Sequence, residues 1–409
     1  MSANSPRVKP VIVLGVDTPI GLTVVRELGR HGVLVHGIGR SEQAIGARSR
    51  YCATSSVRPS GQVIADWLPA LIKTVGAKAL LAISEDDLVA LATLPAVIKG
   101  CRILTPRAGP LSVVLDKRLT LAAAAAIGID VPQSWQPQAG EDFSAKAAEF
   151  KFPIVAKWPD PPSIVLILAD AGIPLHKAEF IESKAALETL LARYAPLGQW
   201  PLIQQYCAGV GLGQMFHIEA GTATLQFQHR RCHEWPPEGG VSTLCVSEPI
   251  ERHQTQRALS EKLLHSIGWQ GTAMVEYRFD EATGRYWLME INGRFWGSIP
   301  LASHAGAEFA WEAYRQALEE HQSEPRSYRA GVSARFMIPE TRRLLRILFN
   351  RSAIADPVFK PRPFADLLSY LVGFIDPRMR YYVFSWHDPM PFVADIASMI
   401  RKALRRETN

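Results

Sequence analysis

The first 110 residues alternate apolar runs with amphipathic ones, and that alternation restricts the folds open to the chain. "KPVIVLGVDTPIG" reads as a buried strand ending in a glycine-containing turn, "LTVVRELGRHG" as an amphipathic helix, and "VLVHGIG" as a second strand. "ALLAIS" and "CRILTP" add two more strands. Strands alternating with helices imply a parallel α/β sheet over roughly residues 8 to 110. The first turn invites comparison with a dinucleotide site. However, Gly15 and Gly21 stand six apart and do not make the G-x-G-x-x-G spacing that close approach to a pyrophosphate requires. A plain strand-to-helix turn is the favoured reading.

Length and charge narrow the classes further. A chain of 409 residues with 47% hydrophobic composition can fill two or three domain cores. The net charge is +6, and residues 340–409 hold 12 Lys and Arg against 7 Asp and Glu. The remainder is therefore near neutral, which argues against a nucleic-acid partner. Five scattered cysteines without a C-x-x-C pair fit reduced thiols in a cytoplasmic protein. No signal-peptide pattern and no transmembrane-length apolar run is visible.

Residues 111–325 read as an α+β unit. "SVVLDKRLTLAAAAAIGIDVPQS" is expected to be one alanine-rich helix stopped at Gly128 and Pro132. "FKFPIVAKW" reads as a strand ending in a lysine, and "PLIQQYCAG" as another that closes in a glycine-rich turn, "GVGLG". Two hairpins follow, one around Ala220-Gly221 and one made by "AMVEYRFDEATGRYWLMEING". Residues 326–409 form a mainly helical, basic segment, beginning the division of the chain into 1–110, 111–325 and 326–409. Its last helix carries Phe392, Ile396, Ile400 and Leu404 in a stripe backed by Arg401, Lys402, Arg405 and Arg406. Packing onto the body, with the cations at the helix C-terminus, is favoured over peripheral contact with an anionic membrane.

The second hairpin carries the chemistry. Strand alternation puts Leu288, Glu290 and Asn292 on one face. With a five-residue loop at 281–285, Glu276 falls opposite Glu290. Two opposed carboxylates repel each other, so the pair makes sense with a divalent cation between them. Carboxylate and amide oxygens suit Mg²⁺, which completes its shell with water and phosphates. Phosphates in turn call for lysines.

These blocks resemble the ATP-grasp superfamily. "GTAMVEYRFD" with "LMEINGRFWGS" is similar to its metal-binding hairpin, "FPIVAKW" to its phosphate-lysine strand, "LIQQYCAGVGLG" to the hinge strand lining the adenine, and "LDKRLTLAAAAAIGIDVP" to its lysine-bearing helix. "HRRCHEWPPEGGVS" resembles the turn between substrate and nucleotide, and the N-terminal region resembles the Rossmann-like domain preceding many such folds. The resemblance implies a Rossmann-like domain, an ATP-grasp fold and a helical C-terminal segment. It implies ATP held by Lys117 and Lys157, adenine lined by Gln204, Gln205 and Tyr206, and Mg²⁺, or Mn²⁺ in its place, on Glu276, Glu290 and Asn292. Arg294 would stabilise the transferring phosphoryl group and Arg231 or Arg230 would hold a substrate carboxylate, alternation allowing only one of the two into the site. Lys177 is a further phosphate contact on this reading, and the loops bearing Glu238, Ser298 and His304 are where specificity resides. The implied activity is ligation of a small-molecule carboxylate to an amine with release of ADP, in a protein that family expectation makes a homodimer. One departure stands out: "WPDPPSIV" replaces the glycine-rich loop that usually follows the phosphate lysine, which favours nucleotide binding without turnover as the alternative.

Overall fold

The computed structural model describes residues 9–406 except 160, 177, 319–326, 355 and 357. Six strands, β1 (Val11–Leu14), β2 (Val35–Gly39), β3 (Thr54–Val57), β4 (Ala79–Ala82), β5 (Val97–Ile98) and β6 (Cys101–Ile103), form the first sheet in the order 3-2-1-4-6-5. Neighbours run parallel except in the short β5–β6 pair. Every residue of β1, β2 and β4 is buried, as strands covered on both faces must be. The turn after β1 needs both of its glycines. Gly15 has φ +92°, and a Cβ on Gly21 would lie 2.4 Å from the Gly15 carbonyl oxygen.

A four-stranded antiparallel sheet follows, made of β7 (Ser134–Trp135), β8 (Ile154–Lys157), β9 (Glu179–Ile181) and β10 (Leu202–Gln205), in the order 7-10-8-9. It has its own core, with Trp135, Phe150, Ile154, Leu187 and Tyr194 buried together. The third sheet has seven strands: β11 (Val210–Glu219), β12 (Thr222–Trp235), β13 (Val241–Ser247), β14 (Gly271–Asp280), β15 (Arg285–Asn292), β16 (Ser333–Arg335) and β17 (Met379–Tyr381), in the order 15-14-11-12-13-16-17. One face buries Leu212, Phe216, Val275, Tyr277, Leu288 and Ile291. The opposite face packs Met215, Phe227 and Met274 in a core shared with the helix Pro19–Arg30 of the N-terminal domain. Residues 326–409 supply β16 and β17, so this segment continues the large sheet.

Three local expectations need correction. The helix expected across 112–134 is two helices, Ala108–Leu115 and Lys117–Ala126, broken at Asp116. The Asp116 carboxylate accepts hydrogen bonds from the Arg118 and Leu119 amides at 2.8 and 3.4 Å, an N-cap that starts a helix rather than continuing one. The "GVGLG" run does not close a turn: Gly211 and Gly213 lie inside β11. The third correction concerns the hairpin itself. Its loop is the four residues 281–284, with Asp280 paired to Arg285 and Tyr277 to Leu288. A bulge at Met289 then shifts the register, and Glu276 pairs with Glu290 after all. The bulge also turns Leu288 to the core beside Tyr277, so Leu288 does not share the face of Glu290 and Asn292.

The last helix, Met390–Arg406, is half-buried at Phe392 and Ile396 and exposed at Ile400; the side chains of 402–406 lie outside the description. Phe392 packs against the core shared with the N-terminal domain. Among the described residues no helix is long and apolar enough to cross a membrane.

Candidate active site

The small sheet faces the edge of the large one across a cleft of roughly 740 Å³. Each side of it is built by a local device. The Asp116 cap starts the second helix at Lys117, and the lysine projects from that first turn into the cleft. Its Nζ lies 3.5 Å from Glu290 Oε2. Lys157, the last residue of β8, enters from the small sheet. Burial, reinforced by the nearby Lys117 charge, pushes the Lys157 ammonium down to about 8.

Glu276 and Glu290 stand opposite each other on β14 and β15. The Asn292 amide nitrogen donates to Glu290 Oε1 at 3.1 Å. Their titrations diverge. Burial raises Glu276, and the Glu290 charge adds to that despite Arg231. Burial also works against Glu290, but Lys117, the Asn292 amide and Arg231 hold its carboxyl below the ordinary range.

Arg231 reaches Glu276 by lying across β11. Its Nη2 is 2.5 Å from Glu276 Oε2, and its Nη1 is 3.8 Å from Glu234 Oε1. The crossing depends on a missing side chain, since a Cβ on Gly211 would come within 2.7 Å of Arg231 Cδ. Gly213 leaves similar room for the His229 ring. His229 is wholly buried with Nε2 unpartnered, and burial pushes it down to about 3, so the imidazole is neutral. Arg230 points the other way and pairs with Glu248 at 3.1 Å, as alternation along β12 requires.

Gln204, Gln205 and Tyr206 line the cleft beside the small sheet. The Gln204 amide donates to Ser134 Oγ at 2.9 Å, and Tyr206 reaches Asp356 at 3.5 Å. Arg294 closes another side, donating from Nε to Glu85 Oε1 of the N-terminal domain at 2.9 Å. The structure therefore brings Lys117, Lys157, Gln204, Gln205, Tyr206, Arg231, Glu276, Glu290, Asn292 and Arg294 to one cleft. Glu238 lines it too and pairs with Arg346 at 2.7 Å. Ser298 and His304 do not line it: Ser298 is buried 3.3 Å from His229 Nδ1, and His304 bonds to the Tyr381 carbonyl. Lys177 lies outside the described residues.

Several lining residues escaped the sequence reading. Glu234 and Arg278, paired at 3.1 Å, stand near Arg231. Glu85 comes from the N-terminal domain, while Arg343, Asp356, Phe359 and Lys360 come from the C-terminal segment. Charge alternation along "RRCHEW" was a signal for Glu234. Nothing in the sequence order pointed to the C-terminal residues. The stretch after Lys157 is also not a loop: Pro161–Asp170 is helical.

A model of the carbamoyl-phosphate synthase L chain ATP-binding domain matches residues 247–324, the stretch that contains the carboxylate hairpin. No curated protein sequence matches the chain. Among solved structures, the ADP complex of N5-carboxyaminoimidazole ribonucleotide synthetase is similar over 91% of this chain and 98% of that one, at TM-score 0.63 and 13% identity. The chain has the ATP-grasp fold. Biotin carboxylase from Campylobacter jejuni shares it at TM-score 0.61 and 13% identity, over 81% of this chain and 75% of that one. The biotin carboxylase domain of Hydrogenobacter thermophilus 2-oxoglutarate carboxylase, solved with MgADP, ADP and bicarbonate, gives 0.60 and 14% over 80% and 73%. In this chain the cleft lies between the four-stranded sheet and the antiparallel part of the seven-stranded one, with the N-terminal sheet region and the C-terminal segment completing its walls.

Proposed function

We propose that the cleft binds ATP with Mg²⁺ and uses it to activate a carboxylate for attack by an amine, forming a carbon–nitrogen bond and releasing ADP and phosphate. The observation that carries this is the convergence of two lysines and two opposed carboxylates, from different elements, on one cleft. Glu276, Glu290 and Asn292 offer the oxygen donors that a hard cation takes, and opposed carboxylates without one repel each other. When bound, the cation neutralises charge on the phosphates. Lys117 and Lys157 hold the triphosphate from two sides. Gln204, Gln205 and Tyr206 lie where an adenine would stack against the small sheet. Arg294 offers a planar, always-charged donor set for the phosphoryl group in transfer. Arg231, suspended between Glu276 and Glu234, is the cation for the substrate carboxylate.

A carboxylate is a poor electrophile until one oxygen becomes a phosphate leaving group, which is the reason for ATP. The acyl phosphate then loses phosphate as the amine nitrogen attacks. The chain's contribution is positioning and charge compensation in the cleft. A screen of acids, bicarbonate included, against amines tests this by ADP release. Amine- and acid-dependent ADP formation that vanishes in Glu290→Gln supports ligation; ADP formation that needs neither substrate contradicts it.

A second reading, nucleotide binding without turnover, has one observation in its favour: the helix Pro161–Asp170 begins four residues after Lys157, where a flexible glycine-rich cover would be expected. ATP binding with no ADP formation across the screen would support it.

A further inference from the structure

The helix Pro363–Val372 packs the wrong way round for a water-soluble surface. Asp366 and Tyr370 face the protein. Asp366 pairs with the buried Arg343 at 3.0 Å, the Tyr370 hydroxyl lies 2.7 Å from Thr341 Oγ1, and the Arg335 guanidinium stacks over the Tyr370 ring. Its apolar residues face outward: Phe364 is 90% exposed, Leu368 63%, Leu371 54% and Ile375, in the turn that continues the helix, 81%. Spacings of four, three and four residues place them on one stripe nearly opposite Asp366 and Tyr370. No residue of this helix is buried. The segment is nevertheless firmly held. Asp388, 2% exposed, accepts from Arg26 Nε at 2.9 Å and from Ser49 Oγ at 2.6 Å in the N-terminal domain.

The exposed apolar surface is concentrated here. Of the 25 large hydrophobic residues exposed among those described, 13 fall between Leu345 and Ile400, including Phe349 and Trp386, exposed 81% and 86%. The charges around them are of one sign. Lys360, Arg362 and Arg378 flank the helix at its two ends, are exposed, and make no ion pair among the described residues. The six described carboxylates from Glu340 to Asp395 are all buried or half-buried. We propose that this face, built on the helix Pro363–Val372, docks on an anionic lipid surface, with Phe364, Leu368, Leu371 and Ile375 entering the headgroup–acyl boundary and Arg362 and Arg378 meeting lipid phosphates. A second copy of the chain is a poorer occupant. A two-fold contact would set these cations against their own equivalents, with no exposed carboxylate among the described residues from Glu340 to Asp395 to compensate. The attachment is interfacial, since no described helix is long and apolar enough to span.

Flotation of the full chain with vesicles tests the assignment, using phosphatidylcholine alone and phosphatidylcholine mixed with phosphatidylglycerol. The chain is expected to float with the anionic vesicles, less so at high salt, and not with the neutral ones. Leu368→Ser with Ile375→Ser should weaken partitioning about tenfold or more. Arg362→Gln with Arg378→Gln should weaken it about 30-fold, at roughly 5-fold per cation. All four positions are exposed, so unchanged circular dichroism and melting would confirm that the variants fold. Absence of flotation with either vesicle, or flotation indifferent to the serine pair, overturns the proposal. A dimer that the serine pair dissociates, in a chain that ignores vesicles, overturns it in favour of self-association.

Discussion

Arg231→Ala offers a test of the carboxylate pair that needs no substrate. Arg231 and Glu276 have side chains only 13% and 12% exposed, and their contact is 2.5 Å. Removing one partner of such a pair leaves a buried carboxylate uncompensated, at a cost of about 3–5 kcal/mol. Unfolding entropy is about 2 cal/mol/K per residue. For 409 residues, that cost lowers Tm by roughly 4–6 °C if the chain melts as one unit. Glu290 still faces Glu276, so the variant has two opposed acids and no guanidinium against Glu276. Millimolar Mg²⁺ should therefore recover much of the lost Tm in Arg231→Ala. In the parent chain, where a cation must compete with the guanidinium, the gain should be smaller. Differential scanning fluorimetry with Mg²⁺, against K⁺ at matched ionic strength, reads both. Equal Mg²⁺ responses in the two proteins, or none in either, would refute the view that these acids form a cation site.

Three further outcomes follow from the same geometry. Lys157 sits at about 8, below its ordinary 10.5, and the triphosphate needs its charged form. ATP binding should therefore take up a proton and weaken by up to about tenfold per pH unit above 8, measured by calorimetry in buffers of different ionisation heat. Lys157→Arg should flatten that dependence. Asp116→Ala should cost about 1 kcal/mol of stability by thermal melting. It should also raise the ATP Kd, because the cap orients the turn bearing Lys117; Asp116→Asn should retain most of both. Gly211→Val should push Arg231 off β11, so that the variant reproduces the enhanced Mg²⁺ response of Arg231→Ala.

Much of the architecture was legible because it depends on local periodicity. Alternating apolar and amphipathic runs imply the parallel sheet, and Ala220-Gly221 marks a two-residue hairpin whose residues both have positive φ, +49° and +78°. The opposition of Glu276 and Glu290 was legible only through two errors that cancelled. The loop has four residues rather than five, and a bulge at Met289 restores the register. A bulge leaves no periodic mark when its extra residue is as apolar as its neighbours, so Leu288 was set on the wrong face. Asp116 was a missed signal: an acidic residue before "KRLT" inside an apolar run is a start sign for a new helix. The role of Gly211 was beyond sequence reasoning, because the Arg231 atoms it makes room for belong to the neighbouring strand. The same holds for Arg343, Asp356 and Lys360, which reach the cleft only through packing of residues far apart in the chain.

The most direct test of the central claim is calorimetry of ATP with and without Mg²⁺, on the parent chain and on Glu290→Ala with Asn292→Ala. The account predicts saturable, Mg²⁺-dependent binding in the parent chain and its loss in the double variant, with melting otherwise preserved. ATP binding that ignores Mg²⁺, or that survives the double substitution unchanged, would contradict the assignment of this hairpin as the metal-bearing wall of the site.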